Sequence, residues 1–124
     1  MKTLISSVAL PLLLVFSLPA LADKAGANSE VAKAQAMIRS AERTGADSMA
    51  TQELKNARDL LNSAQSSLDG KDWLDAEYAA KKSQRDAEVA DAKTGALKAE
   101  RALAELQSVV DTLRNELQRQ GDMQ

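Results

Sequence analysis

The sequence predicts an all-α protein, an elongated helical hairpin or three-helix antiparallel coiled coil with one long C-terminal helix. Three observations predict it. Beyond Asp23 every apolar pattern recurs at spacings of three or four, no stretch alternates with the period of a strand, and no proline follows Pro19.

Residues 1–22 are read apart from that fold. Lys2 supplies a positive start, Leu4 to Leu18 an uncharged apolar run, and Ala20-Leu21-Ala22 a small-x-small cleavage site before the first later charges, Asp23 and Lys24. This is the pattern of a secretory signal peptide cleaved after Ala22, which predicts export across the inner membrane into the periplasm. The rival is an uncleaved anchor, since the apolar stretch approaches the roughly 20 residues needed to span a bilayer. Pro11 and Pro19 count against it, because each interrupts helical hydrogen bonding.

Cleavage leaves 102 residues, enough for one small domain. All 18 acidic residues and all but one of the 16 basic ones lie beyond Ala22, so the mature net charge is −3. That balance is no footprint for nucleic acid or an anionic membrane. Cysteine is absent, which excludes disulfides, thiolate ligands and a lipidated cysteine; histidine is absent too, which removes the commonest general base and metal ligand.

Asp23 to Asn28, short and polar, is expected to be a flexible leader. Helix one is predicted over about 29–44, with Ser29 as N-cap, an apolar seam of Val31, Ala34, Ile38 and Ala41, and Gly45 suited to a left-handed C-terminal cap. Helix two is predicted over about 48–69, capped by Asp47 or Ser48. Its residues Ala50, Leu54, Ala57, Leu61, Ala64 and Leu68 alternate spacings of four and three in the manner of a coiled-coil seam. Gly70 lies beyond its last turn.

Helix three is predicted over about 72–120, with Asp72 as N-cap and Gly95 as the one glycine between Trp73 and Gln120. At 1.5 Å per residue it reaches roughly 70 Å, a length expected of a coiled coil, bundle or repeat. Its apolar pattern changes phase. Ala76, Ala80, Ser83, Ala87 and Ala90 form one seam, whereas Val89, Ala92, Ala96, Ala99, Leu103, Leu106, Val110, Leu113 and Leu117 form a second, displaced one. The first is expected to face helices one and two, and the second to point in a rotated direction. Two outcomes follow for Leu103, Leu106, Val110, Leu113 and Leu117: pairing with copies of the chain or a partner, or a break near Thr94-Gly95 that folds the helix back. A lone glycine is a weak breaker, which favours an unbroken helix and a homo-oligomer.

Candidate chemistry is sparse. Trp73 and Tyr78 are the only aromatic residues after Ala22, and Trp73 is expected to pack over the Gly70 turn and hold helices two and three together rather than bind a ligand. Asp69, Asp72, Asp75 and Glu77 cluster at that turn but lack the spacing of a calcium loop, so capping and solvation account for them. Glu77 and Lys81 suit an i,i+4 pair, and Lys81, Lys82 and Arg85 form a solvated basic face. No phosphate loop, nucleophile elbow or metal motif is present. No catalytic, cofactor-binding or metal-binding residue is expected, and no cofactor.

From Gly45 to Ala92 the sequence resembles the bacterial envelope family catalogued as domain of unknown function 4398. The residues that carry the resemblance are Gly45-Ala46, Glu53-Leu54, Ala57, Leu61, Ala64 and Leu68, the turn Gly70-Lys71-Asp72-Trp73, and then Ala76, Ala79, Ala80, Asp86, Ala87 and Ala90. The resemblance implies an exported helical-hairpin module, often tethered as a lipoprotein or joined to a peptidoglycan-binding domain, and brings no enzymatic residues. This sequence departs from those arrangements in lacking a lipidation cysteine and a second domain, so no stable membrane anchor is expected after cleavage. The expected function is a non-catalytic periplasmic scaffold or adaptor that organises the cell envelope through helix-helix contacts with an envelope protein. The alternative is a periplasmic holdase chaperone for outer-membrane proteins, less favoured by the mildly acidic charge.

Overall fold

A computed structural model describes residues 23–124. The signal peptide and cleavage site read at 1–22 lie outside the described residues. Four helices follow one another: α1 (Lys24–Thr44), α2 (Ala46–Met49), α3 (Thr51–Asp69) and α4 (Trp73–Asp122). Among the described residues there is no strand. The α1, α3 and first-half α4 segments form an antiparallel three-helix bundle in which α4 packs extensively on both α1 and α3.

The first helix begins earlier than its periodicity suggests. Asp23, not Ser29, is the N-cap, and its Oδ1 accepts a 2.6 Å hydrogen bond from the Gly26 main-chain N–H. Residues 24–28, expected as a flexible leader, are therefore helical, and the fully buried Ala27 continues the seam one turn toward the N-terminus. At the other end Gly45 adopts φ 98°, the left-handed cap expected of it, and its N–H bonds the Glu42 carbonyl.

The link to α3 differs from a simple capped start. Ala46 to Met49 form a single helical turn, Ala50 holds the N-cap position of α3, and neither helix has a side-chain cap, so Asp47 and Ser48 do not serve as one. Burial explains the departure, because Ala46 and Ala50 are both withdrawn from solvent and join Ile38, Ala41, Leu54, Ala57, Ala87 and Ala90 in one core cluster. Packing these two alanines decides the path of the chain. Asp47 serves instead in an ion pair: Arg58 of α3 bonds Glu42 of α1 at 2.7 Å and Asp47 at 2.8 Å. Those two carboxylates, Glu42 first, raise the Arg58 guanidinium above its ordinary value.

At the second turn the left-handed residue is Lys71 (φ 63°), while Gly70 stays helical. The Asp72 N–H reaches the Ser67 carbonyl at 2.9 Å and the Lys71 N–H the Leu68 carbonyl at 3.0 Å. This pair of bonds is a Schellman closure with lysine where glycine is usual. Trp73, expected to close over this turn, is only half-buried and stands outside both core clusters. The apolar contact near the turn comes from Leu61 and Leu68, which pack on Val31, Ala34, Ala64, Ala79 and Ala80.

The core is built largely of alanine. Small side chains let helix axes approach closely, and Leu54, Thr94 and Ser83 are the largest side chains wholly withdrawn from water. The polar ones are satisfied: Ser83 donates to the Ala57 carbonyl across the α4–α3 interface, and Thr94 to the Ala90 carbonyl within α4. Gln84 Nε2 ties α4 to α1 through the Glu30 carbonyl and carboxylate, and Thr44 Oγ1 bonds Asp91 at 2.7 Å.

The long helix does not break. It runs 50 residues through Thr94 and Gly95, roughly 75 Å at the standard rise. A Cβ at Gly95 would meet nothing within 4 Å, so this glycine serves no tight turn or close approach.

Candidate functional site

The last buried residue of α4 is Thr94, and Leu97 is half-covered; from Lys98 onward every residue is exposed. Residues 98–122 thus form a free arm, roughly 37 Å long, projecting past the end of the bundle.

Two faces of α4 follow different rules. The face turned to α1 and α3 carries Ala76, Ala80, Ser83, Ala87, Ala90, Thr94 and Leu97, at alternating spacings of four and three. Continued in the same register past the bundle, it becomes Arg101, Ala104, Ser108, Asp111, Asn115 and Gln118. It turns polar where α1 and α3 cease to cover it. The second stripe, Val89 to Leu117, stands two residues ahead of the first throughout. Two residues turn a helix by roughly 200°, so this stripe occupies the opposite face, turned away from α1 and α3.

The back face is in water along its whole length. Val89 is 50% exposed, Ala92, Ala96 and Ala99 are exposed, and Leu103, Leu106, Val110, Leu113 and Leu117 are between 51% and 70% exposed. Val109, outside the predicted stripe, adds a flanking apolar side chain at 55%. Scattered surface leucines need no explanation, but six large aliphatic side chains aligned on 15 residues of one helix form a contiguous apolar face. Thr94 and Leu97, which complete the buried seam, were hidden in the sequence by the polarity of threonine and by Gly95 between them.

The other candidates do not converge. Tyr78 is 65% exposed, with the Lys82 ammonium 5.4 Å from its ring centroid. Asp69, Asp72 and Asp75 are exposed, and Glu77 is paired with Lys81, as the i,i+4 spacing predicts. Glu77 raises the Lys81 ammonium above its ordinary value through that hydrogen bond. Lys93 of α4 bonds Glu53 of α3 at 2.7 Å and holds that carboxyl below its ordinary value. Among the described residues no group of three or more carboxylates is placed to hold a metal ion, and no helix is long and apolar enough to cross a membrane.

Nothing among curated proteins or solved structures matches the chain. A family model, Domain of unknown function (DUF4398), matches residues 29–106. That match runs from within α1 through the rest of the bundle to the first turns of the arm, and leaves Val110, Leu113 and Leu117 beyond it. Covering more than half of the sequence, it establishes that the chain belongs to the DUF4398 family.

Proposed function

We propose that this protein is a non-catalytic scaffold or adaptor of the cell envelope, exported to the periplasm by residues 1–22, with the projecting half of α4 as its contact element. The observation that carries the reading is the free arm with its exposed aliphatic stripe, a surface suited to helix-on-helix contact. The leader pattern and the absence of histidine and cysteine point the same way. Fractionation should find a processed chain in the periplasm, and pull-down from periplasmic extract should enrich an envelope protein. An unprocessed cytoplasmic chain, or no enriched partner, would overturn the reading.

A holdase chaperone for outer-membrane proteins is the second reading, favoured by the same exposed stripe. It requires the purified protein to suppress aggregation of a denatured porin, and failure to do so removes it.

A further inference from the structure

We infer that α4 pairs with α4 of a second copy as an antiparallel coiled coil centred on Ser108, bringing Glu100 of each copy to Arg114 of the other. The inference deepens the scaffold reading and rests on it for its biological purpose. It makes the protein a two-headed rod with a bundle at each end.

The pattern of the stripe identifies the occupant. Val89, Ala96, Leu103, Val110 and Leu117 fall at one heptad core position, a, and Ala92, Ala99, Leu106 and Leu113 at the other, d. Sustained over four heptads, this is the seam of a coiled coil rather than of an irregular groove. Because α1 and α3 cover the opposite face of α4, neither obstructs a helix laid along it.

Direction follows from side-chain size and charge. Antiparallel pairing sets a against d, and centring on Ser108 places Leu103 against Leu113 of the second copy, Leu106 against Val110, and Ala99 against Leu117. Each layer occurs twice by two-fold symmetry, and the large Leu117 meets the small Ala99. On one flank Glu100 then faces Arg114 of the second copy, twice per dimer, with Gln107 facing itself. On the other, the exposed Val109 meets its own copy and is covered.

Parallel pairing lacks these complements. Along the arm its flanking neighbours would be Ala102 with Gln107, Val109 with Arg114 and Glu116 with Gly121, none of them an ion pair; beside the bundle Lys81 would face Asp86 and Glu88 would face Lys93, but Lys81 is bonded to Glu77 and Lys93 to Glu53 within the chain. The same core positions, followed back along α4, reach Arg85 and Lys82, where like charges would meet across the seam. In the antiparallel register Ala96 lies opposite Gln120, so Lys82 and Arg85 fall outside the overlap.

The test uses the chain from Asp23 onward. Light scattering should give a dimer. Glu100→Arg and Arg114→Glu should each raise the dimer Kd about tenfold, and the double variant should restore it, since the swapped charges meet again. The chain has no cysteine, so single cysteines report alone. Gln107→Cys should crosslink to itself through a short bismaleimide, whereas Leu113→Cys should not, its two copies lying roughly 15 Å apart along the axis. A monomer, a dimer joined through Leu113→Cys, or a double variant no tighter than the singles would overturn the inference. These measurements on purified protein stand apart from periplasmic pull-down, so the dimer and the scaffold reading fail separately.

Discussion

The Ser83 hydroxyl of α4 donates a 2.7 Å hydrogen bond to the main-chain carbonyl of Ala57 in α3. Both residues are fully withdrawn from water, so the two helix backbones meet here with only small side chains between them. Ser83→Ala keeps the volume and removes the bond, and should destabilise by about 1 kcal/mol. Ser83→Leu forces the helices apart and should cost about 3 kcal/mol or more. Urea unfolding followed by circular dichroism measures both, and equal effects would contradict the close approach.

The turn between α3 and α4 predicts a stabilising substitution. Lys71 occupies a left-handed conformation that favours glycine, whereas Gly70 is helical and a Cβ there would make only ordinary van der Waals contacts, the nearest at 3.5 Å. Lys71→Gly should therefore stabilise by about 1 kcal/mol, and Gly70→Ala should be neutral or mildly stabilising. Gly45→Ala, at φ 98°, should lower Tm. Thermal unfolding of the three variants provides the check.

Burial separates two leucines that the sequence pattern treats alike. Leu54 is wholly buried and Leu106 is 64% exposed in the single chain. Leu54→Ala should cost about 2 to 5 kcal/mol of bundle stability. Leu106→Asp should leave the bundle's helical signal and the environment of Trp73 unchanged, while abolishing self-association. Loss of helical structure in the bundle on Leu106→Asp would show that this side chain supports the fold.

Acid should weaken the contacts of the Glu30 carboxylate, first with Lys33 within α1 and then with Gln84 of α4. Lys33, then Gln84, hold the Glu30 carboxyl below its ordinary value of 4.5 by hydrogen bonding to it, with the Lys81 charge adding to the effect. A carboxyl whose folded value is depressed stabilises fully above its unfolded value, and that contribution is lost as pH falls through the folded one. Stability should accordingly decline below about pH 4.5. Glu30→Gln should flatten this decline; an unchanged acid slope would assign it to other carboxyls.

The all-α class, the left-handed cap at Gly45, and the seams of Val31 to Ala41, Ala50 to Leu68 and Ala76 to Ala90 were legible from spacing alone, whereas spacing favoured an unbroken long helix over a break at Gly95 without deciding it. These are properties of local spacing: a side chain three or four residues on shares a face whatever surrounds the helix. Spacing also revealed the second stripe, Val89 to Leu117, as displaced from the first. Its place on the back of α4 follows from that two-residue displacement, but the length of α4 left uncovered depends on where α1 and α3 end, which nothing within α4 encodes. Ala27 and Ala46 were illegible for the same reason, since alanine carries so little apolar area that only neighbours reveal it as core. Thr94 was left out of the first seam, although it is wholly buried and its hydroxyl turns back to the Ala90 carbonyl. Lys71 and Trp73 depended on the turn's geometry: the chain closes α3 through a lysine in a left-handed conformation, and the indole at the start of α4 is only partly covered, outside both core clusters.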